Sequence, residues 1–327
     1  MTRIVVVETV ETARDDLGVE QSILGPDIEL TRFECNGDED RLASACREVD
    51  VILADLALLN RTVVEQASQC RLISVTGVGY DNVDIDAASD ANISVCALDE
   101  YCTDEVADHA MLLMLALVRR LPDYHDQVQA QHRWDSESVS GLKRLRGMTL
   151  GIIGLGKIGR AVALRACGFG MKIIANDYRP AEHASQELGV QYCDLSTLLN
   201  DSDVISLNCN LSPENENLID AAAFAQMKRR PVLINCARGG LIDETALVDA
   251  LDSGQISGAG LDVLTTEPPN LADSKLANRN NVILTPHIAY YSDASWLESR
   301  EKSASNIRSF LDGRHDLVRK YIYQATH

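Results

Sequence analysis

Short runs of apolar residues alternate with amphipathic segments along the first hundred residues of the chain. Continuous Val, Ile and Leu are typical of strands in a parallel sheet that is covered on both faces. The predicted strands are Arg3–Val7, Ile28–Phe33, Val49–Ala54, Leu72–Val75 and Ile93–Cys96. Segments between them, such as Asp38–Glu48 and Arg61–Gln69, are predicted helices. This order predicts a small α/β unit.

The alternation continues after a long helical segment, Thr103 to Leu121. Thr103 is its predicted N-cap, with Asp104 and Glu105 in the first turn, and Pro122 is predicted to end or bend the helix. Further strands are expected at Val204–Leu207, Val232–Asn235, Ala259–Asp262 and Val282–Leu284, followed by a closing helix, Asp293–Leu311. The pattern predicts a doubly wound parallel sheet.

The segment from Thr149 to Asp177 carries the most specific pattern. An apolar run leads into a glycine-rich turn, a helical pattern, a second apolar run from Met171 to Ala175, and then Asp177. This is the order of a dinucleotide-binding βαβ unit, in which the helix start faces a pyrophosphate. The cofactor-binding residues predicted in the turn are Gly154, Leu155, Gly156, Lys157, Ile158 and Gly159. A packing turn without a ligand is the alternative.

The acidic residue indicates which dinucleotide would bind. Asp177 lies 23 residues after Gly154, where a carboxylate accepts hydrogen bonds from a ribose 2′-hydroxyl and repels a 2′-phosphate. NAD is therefore expected rather than NADP, although the nearby Arg179 weakens this preference.

The chain is long enough for two domains, and the motifs suggest where they divide. We expect an NAD-binding domain of residues 102–290, inserted into a substrate domain formed by residues 1–101 and 291–327. Hinges would fall near Tyr101 and Tyr290–Tyr291, with the active site in the cleft between the domains.

Charge and composition exclude several classes of function. A formal net charge of −19 argues against nucleic acid or an anionic membrane as a partner, because phosphate binding requires an excess of Lys and Arg. Only seven cationic side chains are Lys, so salt adaptation is an alternative to a simply soluble acidic surface. The longest apolar stretch, Ala110 to Val118, is too short to span a bilayer.

Cysteine and histidine usage favours a reducing cytoplasm and no metal site. The nine Cys are odd in number and scattered without a C-x-x-C pair, and Cys96, Cys167 and Cys209 lie in apolar runs where a thiol behaves as a small hydrophobe. His109, His125 and His132 lack a metal-ligand spacing. The N-terminus enters an apolar run directly, so no signal peptide is expected.

Three polar side chains follow successive predicted strands. Arg238 precedes a Gly pair and could offer a planar fork to a carboxylate, although a surface Arg in a tight turn fits equally well. Glu267 is held in an extended loop by two prolines, and His287 follows the last strand. Each would be unremarkable alone, but strand ends of one parallel sheet converge on the edge where ligands bind.

The ordered motifs together resemble the D-isomer-specific 2-hydroxyacid dehydrogenase family along essentially the whole chain. They are TGVGYDNVD from Thr76, DEVADH from Asp104, GLGKIG from Gly154, NCARGG from Asn235, GLDVLTTEPP from Gly260 and TPHIAYYS from Thr285. The resemblance implies two Rossmann-like or flavodoxin-like domains and an NAD-dependent oxidoreductase that interconverts a 2-keto acid and a D-2-hydroxy acid.

The resemblance also implies roles for individual residues. His287 would be the general acid/base, Glu267 would hydrogen-bond it and favour its charged form, and Arg238 would bind the substrate carboxylate. Val78 and Gly79 would hold the other side of that carboxylate, and Asp262 would bind the nicotinamide carboxamide. Further cofactor contacts would come from Val106, Cys209, Asn210, Cys236, Ala237, Arg238 and His287.

Within the family, the wording around the glycine turn and from Pro286 to Ser292 suggests the C-terminal-binding-protein-like branch. Two positions depart from the expected pattern: Asn208 replaces the usual His, and Tyr290, expected to face the substrate, replaces the Trp of that branch. Phosphoglycerate and phosphite are alternative substrates, and the absence of the C-terminal extension of many phosphoglycerate enzymes argues against the first. An NAD-sensing, corepressor-like binding module with little turnover is the alternative from another class. A cytoplasmic homodimer, paired through the long helix, is also expected.

Overall fold

The computed structural model describes residues 1–9, 16–180 and 186–326. Its strands are numbered β1 to β13 along the chain. They are β1 Thr2–Thr9, β2 Ile28–Cys35, β3 Val51–Ala54, β4 Leu72–Val75, β5 Ser94–Ala97, β6 Thr149–Ile153, β7 Lys172–Asn176, β8 Gln191–Tyr192, β9 Val204–Leu207, β10 Val232–Asn235, β11 Gly258–Leu261, β12 Val282–Leu284 and β13 Lys320–Tyr323.

The α-helices are numbered in the same way. They are α1 Gly18–Leu24, α2 Glu39–Cys46, α3 Arg61–Gln66, α4 Ile85–Asp90, α5 Thr103–Val118, α6 Leu121–Gln129, α7 Lys157–Gly168, α8 Leu195–Asp201, α9 Ala221–Gln226, α10 Glu244–Ser253 and α11 Asp293–Leu311. Short 3-10 turns cover Gly239–Leu241 and His315–Leu317. In the described part of the chain, no helix is both long and apolar enough to cross a membrane.

The chain divides into two compact units. The first comprises Met1–Tyr101 and Ser292–His327, and the second comprises Cys102–Tyr291. The second unit thus ends one residue later than the predicted boundary at 290.

The first unit is built on a six-stranded sheet in the order β13-β5-β4-β3-β1-β2. β1 to β5 are parallel, and β13 pairs antiparallel with β5. Alternate residues of β1 enter different cores: Val5 and Val7 pack with residues of α2, α3 and α4, whereas Ile4 and Val6 pack with residues of α1 and α11. Both faces of the sheet are therefore buried, which accounts for the continuous apolar runs.

The second unit carries a seven-stranded parallel sheet in the order β12-β11-β10-β9-β6-β7-β8. Residues of α5 and α7 share one core with Ile152, and residues of α8, α9 and α10 share the other core with Ile153. The chain passes from β6 to β7 and β8 on one side, and then resumes at β9 on the other side of β6. This reversal of strand order opens a crevice at the carboxyl ends of β6 and β9, where such folds bind ligands.

The predicted class of fold, a two-domain α/β protein with doubly wound sheets, is confirmed. Three details were wrong. Cys102, not Thr103, is the residue that precedes the first turn of α5. The helix α5 ends at Val118, three residues before its predicted end at Leu121, and Pro122 lies in the first turn of α6, where its missing N–H costs nothing. Cys167 is exposed rather than buried, because it faces outward from α7.

Candidate active site and cofactor-binding loop

The glycine-rich turn between β6 and α7 requires glycine at two positions. Gly154 has φ 89°, and a Cβ there would lie 2.8 Å from the backbone of Asn208, at the end of β9. A Cβ on Gly159 would lie 2.2 Å from the carbonyl oxygen of Gly154. The turn and the first turn of α7 are therefore packed backbone to backbone, which only glycine allows.

The position of Gly156 differs, because a Cβ there would have no atom within 4 Å. Gly156 is also the N-cap of α7 and, as a glycine, provides no side-chain cap. The start of this twelve-residue helix, with open space at Gly156, fits a pyrophosphate, since the helix dipole favours an anion there. Lys157 and Ile158 lie in that first turn, and Leu155 lies in the loop.

Asp177, just after β7, closes the turn from the opposite side. One carboxylate oxygen accepts a hydrogen bond from the backbone N–H of Leu155 at 2.7 Å, and the other accepts one from the N–H of Arg179 at 2.8 Å. Each oxygen keeps a second lone pair for a ribose hydroxyl. The Arg179 guanidinium stacks over the Tyr178 ring, 4.9 Å from its centroid.

The loop after β9 forms the other wall of the crevice. Asn208 donates from its side-chain amide to the carbonyl and the hydroxyl of Ser206, both at 3.1 Å, which fixes the strand end. Cys209 follows, and burial raises the pKa of its thiol to about 11. Asn210 is exposed. The crevice is thus lined by a neutral thiol and backbone groups beside the glycine turn.

Arg238 lies in a loop after β10 that is fixed by the buried Asn235. The amide group of Asn235 donates to the carbonyl oxygen of Arg238 at 2.8 Å, and its oxygen accepts from the N–H of Ala237 at 2.9 Å. The Arg238 guanidinium donates to the Ala237 carbonyl at 2.8 Å. Burial raises the pKa of the neighbouring Cys236, and the negative charge of Asp262 adds to the effect, so this thiol also stays neutral.

His287 and Glu267 are in direct contact. Nδ1 of His287 lies 2.6 Å from Oε2 of Glu267, and the other carboxylate oxygen accepts from the N–H of Leu264 at 2.9 Å. Burial raises the pKa of Glu267, but the hydrogen bond and charge of His287, the Leu264 N–H and the charge of Arg238 together bring it below its ordinary value. Glu267 is therefore ionised at neutral pH and orients the imidazole.

The backbone of His287 has the left-handed φ of 53°, which is unfavourable for a non-glycine residue. Its N–H donates to the carbonyl oxygens of Asp262, at 2.8 Å, and Thr285, at 3.0 Å. The Asp262 carboxylate, 1% exposed, accepts from the N–H groups of Ile288 and Ala289 at 3.0 and 2.8 Å. The conformation of His287 is thus held from both sides by one buried aspartate.

The Arg238 loop and the Glu267 loop are packed together at Gly239. A Cβ on this glycine would lie 2.0 Å from the carbonyl carbon of Leu264. The N–H of Thr265, the next residue, donates to a carboxylate oxygen of Glu244 at 2.7 Å. The strand-end loops that carry Arg238, Glu267 and His287 therefore form one connected assembly.

The remaining predicted site residues are placed as follows. Val106 is buried on α5, and Tyr290 contacts the His287 ring edge to face, with centroids 6.1 Å apart. Val78 and Gly79 belong to the first unit, in the loop after β4, where the Val78 carbonyl lies 3.5 Å from the ammonium of Lys320.

Sequence reasoning gave no role to several residues that organise this site, namely Asn235, His109 and Thr285. All three lie inside the quoted motifs, His109 as the last residue of DEVADH, and this is the available signal. His109 was considered only as a metal ligand. Within the described residues, no group of three or more His, Cys, Asp or Glu side chains could hold a metal ion.

Comparison with known proteins identifies the class of the protein. Residues 111–289, more than half of the chain, match the model of the D-isomer specific 2-hydroxyacid dehydrogenase, NAD binding domain. The chain belongs to this family, and the matched segment is its NAD-binding domain.

Individual relatives agree with this assignment. The chain is 37% identical over 263 residues to a D-3-phosphoglycerate dehydrogenase of Synechocystis, covering 80% of this chain and 47% of that protein. It is 35% identical over 285 residues to a D-3-phosphoglycerate dehydrogenase of Mycobacterium bovis, covering 87% of this chain and 52% of that protein. The chain thus spans about half the length of the curated relatives it matches. The solved structure of a D-lactate dehydrogenase from Aquifex aeolicus, complexed with NAD and lactic acid, superposes with a TM-score of 0.87 at 30% identity, covering 98% of this chain and 100% of that one.

Proposed function

We propose that the protein is an NAD-dependent oxidoreductase that interconverts a 2-keto acid and a D-2-hydroxy acid. The observation that carries this proposal is the His287–Glu267 pair, 2.6 Å between Nδ1 and Oε2, on loops packed against the loop of Arg238. An oriented imidazole and a guanidinium together suit a substrate that has a carboxylate beside a reducible carbonyl.

His287 acts as the general acid in reduction. Because Nδ1 is engaged by the Glu267 carboxylate, Nε2 exchanges the proton with the substrate oxygen. The ionised Glu267 stabilises the imidazolium before the transfer, and the neutral imidazole is the product of the step. In oxidation the same nitrogen accepts the hydroxyl proton.

Arg238 binds the substrate carboxylate and polarises the keto group, and its guanidinium stabilises the developing alkoxide. Val78 and Gly79, in the loop after β4, are proposed to bind the substrate through their backbone N–H groups. Tyr290, which contacts His287, lies beside the substrate side chain. In this proposal residues 102–290 form the NAD-binding domain, and residues 1–101 and 291–327 form the substrate domain.

NAD fits the glycine turn, the start of α7 at Gly156 and the carboxylate of Asp177. When bound there, NADH would supply a hydride for C2 of the keto acid, and the proton held by His287 would complete the hydroxy acid. Gly154 to Gly159 hold the pyrophosphate, and Asp177 selects the unphosphorylated ribose. Further contacts come from Val106, Cys209, Asn210, Cys236, Ala237 and Asp262.

The proposal is tested by NADH oxidation, followed by absorbance, against 2-keto acids from glyoxylate and pyruvate to aromatic and thioether types. The reverse direction is assayed with D-lactate, L-lactate and D-3-phosphoglycerate, because relatives carry the names of lactate and phosphoglycerate dehydrogenases. Turnover of one class, with D over L selectivity, is the expected result. Tight NADH binding without turnover on any substrate would refute the enzyme and favour the sensing module.

The NAD-sensing function is the one that membership of the C-terminal-binding-protein-like branch would imply. The segment from Pro286 to Ser292 supports the branch, whereas the named relatives above are dehydrogenases. The oxidoreductase is favoured, because the matched family and the named relatives are dehydrogenases.

The same protein is proposed to be a cytoplasmic homodimer. All nine cysteines lie in the described residues, and none forms a disulfide there. Leu112 on α5 and Leu164 on α7 are 56% and 60% exposed, an apolar surface that a second copy would cover. Sedimentation equilibrium is expected to give twice the monomer mass, and Leu112→Glu is expected to give the monomer. A monomeric wild-type protein would contradict the dimer.

A further inference from the structure

A chain of hydrogen bonds runs from α5 to the loop of His287. Nε2 of His109 lies 3.0 Å from the hydroxyl oxygen of Thr285, and that hydroxyl donates to Oδ1 of Asp262 at 2.6 Å. His109 and Asp262 themselves are 3.6 Å apart, which is too long for a direct hydrogen bond. Thr285 therefore links His109, on α5, to the carboxylate of Asp262, which lies 153 residues later in the sequence.

The number of available hydrogens determines which group donates in each of these hydrogen bonds. The Thr285 hydroxyl carries a single hydrogen, and the 2.6 Å contact with a carboxylate oxygen requires it. The same oxygen can then only accept from His109, so Nε2 of His109 must carry a hydrogen. The reverse arrangement would leave two oxygen lone pairs facing each other at 2.6 Å beside a buried charge.

The series of hydrogen bonds ends at the Asp262 carboxylate, which holds the backbone next to His287. The buried Asp262 carboxylate accepts from Thr285, Ile288 and Ala289, and the two backbone donors directly follow His287. A carboxylate that is 1% exposed needs such donors, and losing one would leave it free to rotate or to recruit water. The left-handed backbone of His287 depends on this aspartate remaining in place.

We propose that His109 is a positioning residue. Through Thr285 and Asp262 it keeps the imidazole of His287 in the orientation that proton transfer requires. His109 does not touch the substrate in this account. Its side chain is 13% exposed and lies on α5, which packs against β10, β11 and β12, so a long rigid helix fixes one end of the chain. The kinetic part of this inference rests on the proposed function, whereas the tautomer and the ordering of the loop do not.

The test combines magnetic resonance with kinetics on the whole 327-residue chain. In the wild type, nitrogen–proton correlations of the imidazoles are expected to show a hydrogen on Nε2 of His109. His109→Leu and Thr285→Val are expected to speed amide exchange at Ile288 and Ala289 on the order of 10-fold. The same variants are expected to lower kcat by about 10- to 100-fold. His109→Gln and Thr285→Ser, which keep the donors, are expected to restore most of both properties.

His125→Leu is the matched control, since His125 is an exposed histidine on α6 of the same unit. Its exchange and kinetics are expected to equal those of the wild type. A neutral His109 with its hydrogen on Nδ1, or unchanged exchange in both His109→Leu and Thr285→Val, would overturn the inference. So would His109→Gln and Thr285→Ser behaving like the variants that remove the donor. Absent turnover in the wild type would refute the proposed function alone, because tautomer and exchange are read without substrate.

Discussion

Gly239 lies against the backbone of Leu264 so closely that a Cβ would be 2.0 Å from the carbonyl carbon. This contact fixes the distance between the loop of Arg238 and the loop of Glu267. The first glycine of the NCARGG pair is thus explained by packing between two functional loops, and not by a left-handed turn.

Replacing Gly239 with alanine is expected to force these two loops apart. We predict a loss of about 1–3 kcal/mol in the free energy of unfolding, as for other overpacked sites, and a lower kcat/KM. Gly240→Ala is the matched control, because a Cβ there meets only the side chain of Leu211, at 2.9 Å, which can move. Urea denaturation and steady-state kinetics measure both effects. Equal behaviour of the two variants would contradict the explanation.

Glu267 is expected to make the free energy of unfolding depend on pH in the acidic range. Its pKa in the folded state is below the ordinary 4.5, so it stabilises the fold above that pH and loses this contribution as the pH falls through the folded value. Between about pH 5 and pH 3 the wild type should lose more unfolding free energy than Glu267→Gln. Denaturant titrations at each pH give the comparison. Parallel curves would show that the ionised carboxylate gains nothing from its contacts.

Asp177 is expected to determine both loop order and cofactor choice. Asp177→Ser removes the acceptor of the Leu155 N–H and the charge that repels a 2′-phosphate. The Kd for NADH should rise by about 10-fold, and the preference for NADH over NADPH should shrink. Asp249→Ser, at an exposed position of α10, is the control and should leave both unchanged. Fluorescence titration of both cofactors measures the effect; an unaltered NADH to NADPH ratio would disprove the role.

The excess of negative charge predicts a dependence on salt. With a formal net charge of −19, repulsion among surface carboxylates should weaken as the Debye length falls from about 30 Å at 0.01 M to about 3 Å at 1 M. The unfolding free energy should therefore rise with KCl concentration. Thermal denaturation in a KCl series measures this, and a flat or falling midpoint would show that self-repulsion is not significant.

Much of the fold follows from the sequence, because the burial of both sheet faces produces continuous apolar runs. Leu72–Val75 and the closing helix Asp293–Leu311 have the bounds that the pattern predicts. Helix ends are less predictable: α5 stops at Val118, three residues before its predicted end at Leu121, and Arg120 adopts a left-handed conformation just after it.

The site residues could be predicted only where they lie in short, recognisable sequence motifs. His287, Glu267 and the glycine turn lie in such segments. Which residues pair with one another could not be predicted. Thr285 and His109, for example, are distant in sequence, and a pattern of apolar residues indicates burial but not hydrogen-bond partners.

The most direct test of the account is the turnover of His287→Ala with NADH and the best 2-keto acid, measured beside its NADH affinity. Loss of the general acid should lower kcat by about 10²- to 10⁴-fold while the Kd for NADH stays within about twofold. His125→Ala, an exposed histidine of the same unit, should match the wild type in both. If His287→Ala turned over like the wild type, another group would be the proton donor and the central claim would be wrong.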